Sequence, residues 1–265
     1  MKKMIFCTMM LAFWGAVIAA PNPGKGKVFY KDQTIDAPEY SITIVGAVAV
    51  DDYTKFKIKI RNKSTDILVL KPQQIVFVIN GKEYTASQEK TMTIAPSDDA
   101  SRVVDLKGPN FMVDKYTLKI NSVFRAKPLG AALTVPNFKL PAASNDFTIG
   151  NFKCTLKRQV RKTDVTDIAF DCSYSGSKLG LVDPSKASLR MPNGREYANM
   201  HNTKRPLLLE GGTNDDFVLV WKKIPVSDGD MQFVDMQILF GEMFKEVALE
   251  KLADQTVNME ADKGK

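Results

Sequence analysis

Between residues 40 and 62, apolar side chains fall mostly on every second position: Tyr40, Ile42, Ile44 and Val48, then Phe56, Ile58 and Ile60. Side chains of a strand alternate between two faces, so this period of two predicts strands with one face buried. The same pattern returns 112 residues later, and residues 40–72 overlay residues 152–184 without a gap. Identities are few: Thr43/Thr155, Val48/Val160, Asp52/Asp164, Thr54/Thr166 and Pro72/Pro184. The apolar positions carry the match, with Tyr40/Phe152, Ile42/Cys154, Ile44/Leu156, Phe56/Ile168, Ile58/Phe170, Ile60/Cys172, Ile67/Leu179 and Val69/Leu181 in register. One inserted residue further on, Asn80-Gly81-Lys82-Glu83-Tyr84 meets Asn193-Gly194-Arg195-Glu196-Tyr197. Later strands align more loosely, residues 102–107 with 217–222 and 116–120 with 234–238.

Each copy holds about seven short strands with turn signals every ~8–12 residues, the spacing of an antiparallel sandwich or barrel. The expected fold class is all-β, two tandem immunoglobulin-like antiparallel β-sandwiches. Residues 26–130 form the first and 148–252 the second, joined by a Pro-rich linker over 131–147. Residues 253–265 are polar and expected to be a flexible tail. A weak helical pattern is visible over residues 242–252. Asn-Gly tolerates positive φ at both residues, so Asn80-Gly81 and Asn193-Gly194 each predict a type I′ hairpin turn with the following cation and Glu exposed.

Apolar alternation leading into Asn62-Lys63-Ser64-Thr65-Asp66, then Leu70-Lys71-Pro72, Phe77 and Asn-Gly-Lys-Glu-Tyr resembles bacterial extracellular immunoglobulin-like domains of unknown function, the immunoprotective secreted antigens of mycobacteria among them. The resemblance covers residues 40–124 and, more weakly, 152–240. The second copy departs from it where Tyr174-Ser175-Gly176-Ser177 replaces the Asn-Lys-Ser-Thr run. The resemblance implies an interaction role by analogy of fold and supplies no catalytic residues.

The N-terminus reads as an export signal. Lys2 and Lys3 precede an apolar run, and small residues close it, with cleavage expected after Ala19. Loss of those two lysines lowers the net charge from +7 to +5. That mild excess suits an anionic envelope surface but lacks the clustering of a nucleic-acid footprint. Export points to the periplasm or exterior. No later stretch is long and apolar enough to span a bilayer.

Candidate chemistry is sparse. A single histidine, His201, stands in a 265-residue chain. No Gly-x-Ser-x-Gly elbow surrounds any serine, so a Ser-His-Asp hydrolase has little support. The pairs Asp51-Asp52, Asp98-Asp99 and Asp215-Asp216 fall in expected loops. They read as turn chemistry, the alternative being the start of a calcium site. Neither metal nor cofactor is expected. Trp221 lies on the apolar side of its alternating run and reads as core. Cys154 and Cys172 lie nine residues either side of Thr163, so a hairpin centred there opposes them directly. Directly opposed residues are close enough for a disulfide. The alternative is a pair of reduced, buried thiols. The function expected is noncatalytic binding of another protein or envelope component. An assembly or chaperone-like factor that adds a partner strand to a sheet edge is the first alternative, and a hydrolytic enzyme the second.

Overall fold

The computed structural model describes residues 26–88, 90–201 and 205–264. The expected export signal, residues 1–19, lies outside them. Every regular element is a strand or a single 3-10 turn. In chain order the first half carries β1 (Val28–Phe29), β2 (Gln33–Asp36), β3 (Tyr40–Ala49), β4 (Tyr53–Asn62), β5 (Leu68–Leu70), β6 (Ile75–Ile79), β7 (Lys82–Thr85), β8 (Met92–Ile94), β9 (Asp99–Lys107), β10 (Lys115–Ile120) and β11 (Val123–Pro128). Then come β12 (Phe138–Leu140), β13 (Asp146–Ile149), β14 (Phe152–Lys162), β15 (Val165–Tyr174), β16 (Leu179–Val182), β17 (Ser188–Arg190) and β18 (Glu196–Ala198). The chain closes with β19 (Leu207–Leu209), β20 (Thr213–Lys222), β21 (Met236–Leu239), β22 (Phe244–Lys251) and β23 (Gln255–Glu260).

Two pairs of sheets each enclose a core. In the first, β1-β3-β4-β9, with β2 also on β3, faces β23-β10-β6-β7 across Ile42, Phe56, Ile58, Phe77, Leu118 and Val257. In the second, β13-β14-β15-β20 faces β12-β21-β17-β18 across Phe152, Phe170, Leu189, Phe217, Trp221 and Ile238. The alternation read from the sequence is thus the pleat of β3, β4, β14 and β15, one face per core.

A fifth sheet joins the halves. Its order is β19-β16-β22-β11-β5-β8, and its central pair, β11 with β22, comes one from each half. An approximate two-fold axis passes through the opposed pair Lys127–Ala248 and exchanges β5 with β16 and β8 with β19. Both faces of this sheet carry buried side chains, while Lys127, Ala248 and Glu250 at its centre are exposed. Leu68, Leu70 and Met92 enter the first core, Val182, Leu209 and Phe244 enter the second, and Val69, Ala126, Leu181 and Val247 pack together on the opposite face. The Thr93 hydroxyl of β8 donates to the carbonyl of Pro206, beside β19, so the sheet curls until its edges approach.

The linker and tail expected from the sequence both contain strands. Residues 131–147 contain β12 and the first two residues of β13, and residues 253–265 contain β23. Strand β12 leaves the first half and pairs with β21 of the second, Phe138 opposite Ile238. Strand β23 leaves the second half and pairs with β10 of the first, Leu118 opposite Val257 and Tyr116 opposite Met259. The halves therefore exchange their last strands reciprocally. Residues 242–252, weakly helical by pattern, form β22 instead. Phe244 faces one core while Val247 and Leu249 face the other side of the joining sheet, so burial on both faces mimics a helical spacing of three.

The duplication extends to the irregularities. The β3–β4 ladder slips between Val45 and Val48, and the β14–β15 ladder slips between Leu156 and Arg158, about one residue from the equivalent place. Gly46 takes φ +61° at the first of these bulges. The match of residues 116–120 with 234–238 is corrected by two positions. Leu118 opposes Phe77 as Ile238 opposes Leu189, and a two-residue slip keeps every side chain on its face.

Two ladders join residues before Gly130 to residues after it without the connecting peptide, β11–β22 and β10–β23. A protease site placed after Gly130, at an exposed bend, should therefore nick the chain without freeing the fragments. Gel filtration should return one peak holding both fragments under native conditions, separating only in denaturant. Fragments that part without denaturant would contradict the exchange.

Candidate interaction site

Cys154 and Cys172 form a disulfide, with Cα atoms 4.1 Å apart. They are opposed in β14–β15, and Ile42 and Ile60 hold the equivalent opposed positions. The hairpin is not centred on Thr163, as expected, but turns on Thr163-Asp164, and the bulge at Lys157 restores the register that opposes the cysteines. The bridge spans 18 residues. Closing so short a loop stabilises by up to about 3 kcal/mol, less what the hairpin already fixes. Trp221 is buried in the second core and its indole N–H donates to the carbonyl of Tyr197 at 2.9 Å.

The aspartate pairs serve backbone and strands. Asp51 and Asp52 stand in the β3–β4 turn, where their carbonyls accept from the amides of Asn110 and Gly108. Asp98 accepts from the amide of Asp99, and Asp215 from that of Asp216. Their expected loop placement is corrected for Asp99, which opens β9, and for Asp215 and Asp216, which lie in β20. His201 donates its backbone N–H to the side chain of buried Asn199. Among the described residues, no three His, Cys, Asp or Glu side chains converge as a metal site would require.

A site that the sequence did not announce lies in residues 223–235, between β20 and β21. Lys223, at φ +57°, turns the chain out of β20, and Ile224 re-enters the core. A 3-10 turn at Val226–Asp228 then carries Asp228 inward until its side chain is 3% exposed. Tyr197 donates its hydroxyl to this carboxylate, Arg195 donates from Nη1 at 2.8 Å, and Asn193 donates from Nδ2 at 3.0 Å. The Tyr197 hydrogen bond does most to hold the Asp228 carboxyl below the usual carboxylate range, with Arg195 and Asn193 adding to it against the opposing effect of burial. Further along, Asp230 accepts from the amide of Gln232, and its carbonyl accepts from Phe233 and Val234. Met231 is fully buried, and Arg161 clamps the carbonyls of Met231 and Val234.

This loop is fixed at many points, yet it exposes two apolar side chains, Val226 at 64% and Phe233 at 75%. Burying a phenylalanine is worth roughly 1.5–3 kcal/mol, which the folded chain leaves unrealised here. A pre-ordered aromatic costs little entropy to dock, the property of a binding hot spot.

The hairpin that grips Asp228 differs from its copy. Asn80 and Gly81 take φ +51° and +75° between opposed Ile79 and Lys82, the expected type I′ turn. In the second copy Pro192 is the inserted residue, only Gly194 has positive φ, and the amide of Gly194 donates to the carbonyl of Met191. The expected I′ turn at Asn193-Gly194 is thus corrected to a three-residue loop. It frees the Asn193 side chain and draws Arg195, expected to be merely exposed, onto Asp228.

No family model and no curated protein matches the chain. Among solved structures it is similar to the secreted serine protease VesC from Vibrio cholerae, at 10% identity and a TM-score of 0.19, over 76% of this chain and 48% of that one. The chain thus spans about half of that protease, and a likeness so low carries no argument about fold or activity.

A carboxyl with a depressed folded pKa stabilises above its unfolded pKa of about 3.9 and loses that contribution as pH falls through its lower folded value. Acidification through this range should therefore loosen residues 226–235, seen as faster amide exchange. Asp228→Asn should already exchange faster at neutral pH and should flatten the acid limb of the stability curve. An acid limb unchanged by Asp228→Asn would contradict the role given to this carboxylate.

Proposed function

We propose that the protein is a noncatalytic binding protein of the cell envelope or exterior, built from two immunoglobulin-like sandwiches that present fixed loops to a protein or envelope component. The carrying observation is the pairing of Phe233 and Val226 exposure with a loop backbone held by Asp228, Asp230 and Arg161. Rigid loops on a β-sandwich are where such folds place recognition. Export is supported by the signal pattern at the N-terminus and by the disulfide, since such bridges persist in oxidising compartments. Among the described residues no helix is long and apolar enough to cross a membrane.

A photo-crosslinking residue placed at Phe233 in intact cells should yield a discrete adduct that the same residue at exposed Leu129 does not. Asp228→Asn, which releases the loop, should weaken that adduct with the fold intact. Equal crosslinking at both positions, or none at Phe233, would overturn the assignment of this loop. A phenotype abolished by His201→Ala in a folded protein would instead favour chemistry over binding.

A further inference from the structure

We infer that the outer face of the β1-β2-β3-β4-β9 sheet docks on an anionic bilayer surface, through a cationic column on β4 flanked by apolar side chains. Strand β4 directs Phe56, Ile58 and Ile60 into the core, so Lys55, Lys57, Lys59 and Arg61 all point outward. Alternate residues of a strand lie about 6.8 Å apart, so the column runs for about 20 Å. The ladder sets its neighbours. Phe29, Val48, Lys55 and Asp105 form one row, and Val45, Lys57 and Val103 the next. Thr43, Lys59 and Ser101 follow, then Ser41, Arg61 and Asp99, while Lys107 stands opposite Tyr53. Lys55 lies over the Tyr53 ring at 5.2 Å.

The acids on this face do not cancel the cations. Asp99 pairs with Lys59 at 3.0 Å, and Asp36, at the margin, pairs with Lys63. Asp105 remains on the paired strands and Asp52 lies beside Lys55 and Lys107 at the β3–β4 turn, two carboxylates against Lys55, Lys57, Arg61 and Lys107. Apolar side chains sit beside the column, Val103 at 51% and Phe29 at 38% exposure. A soluble polyanion uses the charge alone. A bilayer surface uses both, phosphate for the cations and the headgroup boundary for the aromatic and aliphatic groups.

The duplicated half shows that the fold does not require this charge. The equivalent outward column of β15 is Asp167, Ala169, Asp171 and Ser173, and its acids are already paired, Asp167 with Arg158 at 2.7 Å and Asp171 with Lys157 at 3.5 Å. The same backbone thus carries a column of paired acids in one half and a face of net positive charge in the other. This face belongs to the first half, whereas the 223–235 loop belongs to the second, so the two assignments stand or fall separately.

The test is sedimentation of residues 20–265 with vesicles of phosphatidylcholine alone and of phosphatidylcholine mixed with phosphatidylglycerol. Binding should require phosphatidylglycerol and weaken at high salt. The fourfold variant Lys55→Asp, Lys57→Ala, Lys59→Asp, Arg61→Ser, which installs the residues of the second copy, should bind at least about tenfold more weakly with unchanged circular dichroism. If that variant loses its native spectrum, Lys57→Ala and Val103→Ser replace it, each expected to weaken binding severalfold. Equal binding to both vesicles, binding unaffected by the substitutions, or binding to soluble heparin without binding to vesicles would each overturn the inference.

Discussion

The pairing of β11 with β22 is the contact on which the rest of the molecule depends. It sets one strand from each half at the centre of the sheet that joins them, and it delivers β12 and β23 into each other's halves. Completing each core therefore requires the other half of the chain: Val257 and Met259 fill the first core, and Phe138 and Leu140 fill the second. At its ends the pair also reaches outward. Arg125 on β11 contacts Glu39 and Asp66, while Glu246, its two-fold equivalent on β22, accepts from Asn151 and Tyr174. Glu39 and Asn151 are themselves equivalent positions. The duplication has kept the contact while an arginine became a glutamate and its glutamate partner a neutral amide.

That divergence recurs wherever the halves differ in chemistry. Ile42 and Ile60 become a disulfide, a lysine-arginine column becomes a paired acidic one, and a two-residue turn gains Pro192 and a grip on Asp228. Backbone ladders impose only alternation and register, so outward positions and turns are free to change while the pleat is retained. Function in such a fold is to be sought in those positions.

The sequence made the pleat legible because one-sided burial writes a period of two, as in β4 and β15. It also located the disulfide, since equidistance from the turn survived the compensating bulge at Lys157. It concealed β22, where burial on both faces erases the alternation. Strand β23 shows only Val257 and Met259 among polar residues, too short a signal to set against a terminal position. The two-residue slip of β21 was invisible because it moves no side chain to another face. The Asp228 site was hidden for a different reason: its partners Asn193, Arg195 and Tyr197 lie 31–35 residues away in sequence and meet it only through the sheet.

Equilibrium unfolding of residues 20–265 tests the interlocking most directly. With residues 1–19 removed, Trp221 is the single tryptophan and sits in the second core, so its fluorescence reports that half, whereas far-ultraviolet circular dichroism reports the strands of both. Halves that complete each other's cores must unfold together, and the two signals should trace one superimposable transition. A circular dichroism curve with a second transition in which the fluorescence takes no part would contradict the account.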